Sequence, residues 1–189
     1  MPQKFINVKP IKDKRVLNEF ATELAKGKHG ERDLLIFKIG IVTGLRISDI
    51  LNLKVSDVKN KVETDIYEIK TKKKRHLILG KITNDIIRYL EIHAYDTEWL
   101  FYSPTDHSRH LAIQQYYKIL RKVGDGLGMD YIGTHTMRKT FAYHYYMKNH
   151  DLTKLMKILN HSSQAITLRY LGIEQEEINA TLDDFNPFD

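Results

Sequence analysis

Four short stretches of the 189-residue chain carry residues whose types and spacing can do chemistry. In TGLRISDI, Arg46 follows closely on a glycine and Asp49 lies three positions on, so a helix there would set both on one face. In IKTKKKRHL, five cations, Lys70, Lys72, Lys73, Lys74 and Arg75, fall within six positions. Like charges this close repel one another, and they gain most when a phosphate backbone neutralises them and sheds its counterions. In THTMRKTF, His135 and Arg138 stand at i and i+3, which puts a proton carrier beside a rigid guanidinium fork. In HSSQAITLRYLG, His161 precedes Tyr170 by nine positions.

Each stretch also has a plainer explanation. Arg46 and Asp49 suit an exposed ion pair, and the lysine run suits a solvated turn that guards a strand edge. His135 suits a satisfied histidine near a helix start, and Tyr170, one of 11 tyrosines, suits ordinary core or surface. The last pair meets a geometric objection too. On an unbroken helix nine residues turn the chain through about 900°, so His161 and Tyr170 would face opposite sides. They share a site only if the helix breaks between them, and Ser162 and Ser163 are good N-cap residues for a fresh start. His144 and His150 have no equivalent partner and read as structural or surface residues.

Hydrophobic periodicity gives the elements that must hold these stretches. Val16, Leu17, Phe20 and Leu24 recur at helical spacing before Gly27, which predicts a helix over 11–26. RDLLIFKIGIVTG predicts a more buried helix closing near Gly44, and ISDILNL a short one. LKVSDV, VETDIYEIK and RHLILG are rich in strand formers, with KTKKK as a hairpin tip. Lys70 ends a strand in this reading, and a strand end aims an ammonium reproducibly. TNDIIRYLEIHA, HLAIQQYYKILRKV, TMRKTFAYHYYMKN, LTKLMKIL, AITLRYLG and EEINATLDDF predict helices, with a glycine-rich turn, GDGLG, after the second. The sum is an α+β fold, mostly helical with a small antiparallel sheet. One domain spans 1–189, with a loose arm over 1–10 and an acidic tail or helix over 174–189.

Composition narrows the chemistry. Lysine and arginine outnumber aspartate and glutamate by 30 to 24, and the net charge of +6 suits a polyanion such as nucleic acid. The chain has no cysteine, which excludes disulfides, thiol catalysis and cysteine metal sites. Its start lacks the apolar core of a signal peptide, and no run approaches the roughly eighteen apolar residues of a membrane span. The expectation is a soluble intracellular protein with no membrane partner. There is no Walker-type loop, GxSxG, HExxH or dinucleotide fingerprint. His107 and His110 in DHSRH come nearest to a metal pair but lack a third ligand at suitable spacing, so no metal site is expected.

The order of these clusters, Arg, then Lys in a hairpin, then His-x-x-Arg, His, and Tyr nine residues later, resembles the tyrosine recombinases, also called the phage integrase family. The likeness runs over about residues 11–175, and TGLRISDILNLKVSDV, HTMRKTFAYHYY and LNHSSQAITLRYLG are similar to family boxes in family order. It implies the family's catalytic fold, with a three-stranded antiparallel sheet, and a site-specific recombinase or integrase acting on double-stranded DNA. The resemblance further implies a 3′-phosphotyrosyl intermediate, a free 5′-hydroxyl, and no metal, cofactor or ATP. Arg46 and Arg138 would clamp the scissile phosphate, Tyr170 would attack phosphorus, and Lys70 would protonate the leaving 5′-oxygen. His135 would assist proton transfer, His161 would bond a phosphate oxygen, and Asp49 would support the site from behind. Lys72 or Lys73 would replace Lys70 in another hairpin register, and Lys72, Lys73, Lys74 and Arg75 would bind DNA.

Some positions depart from the family pattern. Asn160 stands where glycine is usual, Met137 where leucine is, and Lys139 where a histidine is frequent. With fewer than about 15 residues ahead of the catalytic fold, the expectation is a chain without the N-terminal clamp domain, similar to short members such as the fimbrial inversion recombinases, or else an excised catalytic domain or a degenerate relative. The resemblance also implies a homo-multimer assembled on DNA, accessory DNA-bending proteins, and work in the cytoplasm of a bacterium, encoded by it, a phage or a mobile element. EQEEINATLDDFNPFD would dock on a neighbouring protomer or fray as a tail. The competing expectation is a catalytically silent DNA-binding regulator derived from an integrase.

Overall fold

The computed structural model describes residues 7–93 and 97–172. Helix α1 (Lys14–Ala25) starts later than periodicity predicts because the Asp13 side chain caps it, accepting from the Arg15 amide. Helix α2 (Gly30–Thr43) is apolar on nearly all sides and buried accordingly. It ends at Gly44 in the left-handed conformation, φ 64°. A Cβ there would stand 2.3 Å from the Phe141 ring, and one on Gly40 would stand 2.8 Å from Met137. These two glycines, four residues apart, let α7 (Thr136–Asn149) lie close along α2. That approach brings Arg138 to the chain segment that carries Arg46.

Helix α3 (Ile47–Leu51) follows, and then LKVSDV departs from its expected strand. It forms a single turn, α4 (Val55–Val58), because Asp57 folds back to accept from the Lys54 amide at 2.8 Å. The three-stranded sheet is therefore replaced by two antiparallel pairs among the described residues. Strands β1 (Glu63–Tyr67) and β2 (Lys74–Ile78) pair with Ile66 opposite Arg75 and Thr64 opposite Leu77. After α5 (Thr83–Ile92), β3 (Tyr102–Ser103) pairs with β4 (Asp106–His110). Helix α6 (Ile113–Gly126) runs into the expected glycine turn, which is postponed to Gly128 at φ 68°. Helices α8 (Leu152–Leu159) and α9 (Gln164–Leu171) complete the described chain. The α+β class holds. EEINATLDDF lies outside the described residues, as do residues 1–6.

Two hydrophobic clusters organise these elements. The larger joins α1 to α6 with the hairpins, and includes Phe20, Ile36, Leu45, Ile50, Leu77, Phe101 and Tyr116. The smaller comprises Ala142, Leu155, Leu159 and Leu171, flanked by half-buried aromatics including Tyr170. Helix α7 belongs to both, through Met137 and Ala142. Residues 7–10, expected as part of a loose arm, are pinned along α7. Lys139 Nζ donates to the Val8 carbonyl at 2.6 Å, the Ile11 amide donates to Thr140 Oγ1 at 2.9 Å, and His144 Nε2 donates to the Ile11 carbonyl at 3.0 Å. No helix among the described residues is long and apolar enough to cross a membrane.

Candidate active site

The left-handed turn at Gly44 leaves Arg46 as the residue that opens α3, with its side chain 15% exposed. Its Nη1 lies 3.0 Å from Glu68 Oε2 and 3.9 Å from Asp49 Oδ2. The approach to Glu68 is close but not aligned as a hydrogen bond, so charge attraction dominates it. Asp49 lies behind Arg46 and uses Oδ1 to accept from the Ile69 amide at 2.9 Å. Burial pushes the Asp49 carboxyl above the ordinary aspartate range.

Glu68 escaped the sequence reading. Fully buried, it accepts from Thr71 Oγ1 at 2.7 Å and Asn160 Nδ2 at 3.0 Å on Oε2, and from Arg75 Nη1 at 3.1 Å on Oε1. Burial alone would raise its pKa. The three donors and the Arg46 charge more than reverse that and bring it to about 2.

Arg138 is 1% exposed, among the largest side chains buried this completely. Nη1 donates to the Gly44 carbonyl at 2.7 Å and Nη2 to the Leu159 carbonyl at 2.5 Å. Burial and then the charges of Arg46 and Arg75 lower Arg138 to about 10, which leaves it protonated at neutral pH. Three buried side-chain atoms have no hydrogen-bond partner among the described residues, Arg46 Nη1, Asp49 Oδ2 and Arg138 Nε. All three belong to this cluster.

The geometric objection to Tyr170 is met by a break in the helix. Asn160 ends α8 in the left-handed region at φ 51°, and Ser163 caps α9, with its side chain accepting from the Ile166 amide at 3.4 Å. His161 lies between the two helices, its amide bonded to the Met156 carbonyl. The reversal brings the His161 and Tyr170 ring centroids within 4.7 Å. Tyr170 Oη is 3.2 Å from His135 Nδ1, and its ring lies 6.0 Å from Arg138 Cζ and 5.7 Å from Lys139 Nζ.

Both histidines favour the neutral form. Burial first, then Arg138 and Lys139, depress His135. Burial, Arg138 and Arg46 depress His161 to about 4. A neutral His135 with its proton on Nε2 can accept from the tyrosine hydroxyl at Nδ1. His161 Nδ1 is 3.0 Å from Thr167 Oγ1, which orients the ring and turns Nε2 to the other side.

The lysine run divides. Strand β1 ends at Tyr67, so exposed Lys70 lies in the following turn and not at a strand end. That turn is held on both sides of Lys70, at Ile69 by Asp49 and at Thr71 by Glu68. The charge of Lys70 contributes to the depression of His135. Lys72, at φ 56°, and Lys73 are exposed. Lys74 is exposed and pairs with Asp65 at 3.0 Å. Arg75 is the correction. It is buried, donating to Glu68 and to the Thr43 carbonyl, and so leaves the set expected to touch DNA. Period-two alternation puts Arg75 on the inward face with Leu77, and that alternation was the available signal. His107 packs edge-on to Tyr102 and His110 edge-on to Trp99.

Residues 12–177 match the phage integrase family. The chain belongs to that family. A probable integrase/recombinase of Bacillus subtilis, YoeC, is 42% identical over 174 residues, 92% of this chain and 94% of that one. The tyrosine recombinase XerC of Herpetosiphon aurantiacus is 28% identical over 159 residues, 79% of this chain. The chain spans 51% of that XerC, about half its length. Among solved structures, XerA recombinase superposes with a TM-score of 0.76 at 22% identity, over 95% of this chain and 66% of that one. The XerH site-specific recombinase bound to palindromic difH substrate, a post-cleavage complex, gives 0.73 at 22%, over 90% of this chain and 51% of that one. These likenesses establish the phage integrase catalytic fold.

Proposed function

We propose that this phage integrase family member is a site-specific DNA recombinase, with Tyr170 as nucleophile and a 3′-phosphotyrosyl intermediate. The observation that carries the reading is the Tyr170 hydroxyl, held 3.2 Å from His135 Nδ1 among Arg138, Lys139 and His161. A tyrosine at its ordinary pKa of about 10 is a poor nucleophile and needs both a base and a cationic surround.

In the proposed step Tyr170 Oη bonds to phosphorus and its proton passes to His135 Nδ1. The bond to the 5′-oxygen breaks, and Lys70 supplies the proton that leaves a 5′-hydroxyl. Arg46 and Arg138 meet the negative charge that gathers on the non-bridging oxygens, with His161 donating from Nε2. Two fixed guanidiniums supply the charge stabilisation at phosphorus, so the step draws on neither metal nor cofactor. The covalent link keeps the energy of the broken bond, so religation needs no ATP and strand exchange follows. Lys72, Lys73 and Lys74 add contacts to the DNA backbone.

We further infer one catalytic domain over 1–189, working in the bacterial cytoplasm as a DNA-assembled homo-multimer, with DNA-bending accessory proteins. The test is a nicked duplex that traps the covalent intermediate. Wild-type protein should give a denaturation-resistant protein–DNA adduct, formed equally in EDTA, and Tyr170→Phe none. DNA binding without adduct on every duplex tried would replace this reading with that of a silent regulator.

A further inference from the structure

Glu68 is a fully buried carboxylate that none of these chemical roles uses, yet donors from four chain segments converge on it. Arg46 comes from the α2–α3 junction, Thr71 from the turn holding Lys70, Arg75 from β2, and Asn160 from the junction that delivers His161. Three hydrogen bonds and one charge contact occupy nearly all of its roughly four acceptor directions. A carboxylate so fully engaged by its own chain serves to place other groups.

We propose that Glu68 is the positioning residue that holds Arg46 in register for the scissile phosphate and, through Asn160, ties His161 to the same point. This rests on the recombinase reading above. Without DNA, Arg46 and Arg138 are like charges in one buried region, and Arg46 is the strongest charge acting on Arg138. A fixed negative charge beside Arg46 lets it stay in place with the phosphate absent. Asp49 is the weaker candidate for that charge, because its Oδ2 stands 3.9 Å from Arg46 Nη1 against 3.0 Å for Glu68 Oε2. Asn160 supports the link in two ways. Asparagine tolerates the left-handed backbone found there, and its amide reaches Glu68. Glycine would supply only the first.

The test compares Glu68→Gln, which keeps the shape but removes the charge and turns one acceptor into a donor facing other donors, with Asn160→Gly, which keeps the backbone freedom and removes one donor. On the nicked duplex, adduct formation by Glu68→Gln should slow about 10- to 100-fold, the range for losing an orienting partner. Affinity for the same duplex should change by less than about twofold, since every cation that meets the DNA backbone is kept and only the aim of Arg46 at one phosphate is disturbed. Asn160→Gly should slow the step about 3- to 10-fold and add little in the double variant, because both changes cut one connection. Asn160→Gly should also shift the amide NMR resonances of Ile69–Lys72, and Glu68→Gln those of His161.

An unchanged adduct rate in Glu68→Gln would overturn the proposal, as would independent multiplication of the two effects or a loss of DNA affinity matching the loss of rate. If Glu68→Gln does not fold, Asn160→Gly carries the test with the carboxylate in place. If wild type itself forms no adduct on any duplex, the recombinase reading falls. The NMR coupling then decides the link between Glu68 and His161 alone.

Discussion

The two hydrophobic clusters support the two halves of the candidate site unequally. Arg46, Asp49 and the hairpin with Glu68 and Arg75 stand on the large core, where Leu45, Ile50 and Leu51 are fully buried. Tyr170 stands on the small one, on an eight-residue helix with Thr167 and Leu171 as its buried residues. The groups proposed to grip phosphate are thus fixed by packing, whereas the proposed nucleophile is held by a few contacts and the hydrogen bond to His135. An arginine clamp must meet an anion in one geometry. A nucleophile must also release the strand it has cut, and that suits an element with a smaller share of core.

Arg138 joins the halves, and its loss should break the comparison most severely. Arg138→Ala leaves the Gly44 and Leu159 carbonyls without their donor. We expect a loss of about 3 kcal/mol from the desolvation of unpaired groups, read by urea unfolding, and no detectable adduct. Next come the cores themselves. Ile36→Ala should cost about 2–5 kcal/mol of global stability, in the range for emptying a close-packed site. Leu171→Ala should cost less, about 2 kcal/mol, and slow adduct formation while DNA affinity holds. Equal effects on adduct rate at equal stability would erase the distinction.

Hydrogen exchange sharpens it further. Amides of α9 should exchange through local opening, ahead of those in α2, which open only with the whole domain. A shared exchange free energy would make the two regions one unit.

The smallest effect is pH dependence. His161 is lowered to about 4 from an ordinary 6.5. Between those values the unfolded chain holds a proton that the folded chain lacks, so stability falls as pH drops from 6.5 toward 4 and is flat above 6.5 for this group. His135 acts in the same direction. Glu68, lowered from 4.5 to about 2, contributes stability above pH 4.5 that fades toward pH 2. Urea midpoints at several pH values should show His161→Gln flattening the upper part of this slope.

Much of the candidate site's geometry was legible because its residues are chemically distinctive and most sit in helical stretches with clear periodicity. The TMRKTFAYHYYMKN and LTKLMKIL helices occupy the predicted residues. The serines of HSSQAITLRYLG announced the break that lets His161 meet Tyr170. The hairpin was harder to read. In IKTKKKR one solvated cluster and one buried arginine look alike, and only pairing register separates Arg75 from its neighbours. Glu68 drew no notice because its three donors come from residues 3, 7 and 92 positions away, although alternation sets it on the same face as buried Ile66. LKVSDV looked like a strand by its valines, but a local bond from Asp57 closed it into a turn of helix.

The two carbonyls that hold Arg138 have a further consequence. Gly44 is the C-cap of α2, and Leu159 is the last residue of α8. The guanidinium therefore closes the C-terminal ends of two helices, where aligned peptide dipoles sum to about half a negative charge each. Partial negative charge at both ends opposes the cost of burying a cation that is 1% exposed, before any phosphate arrives. Lysine at this position would keep the charge but could not span both ends with one ammonium.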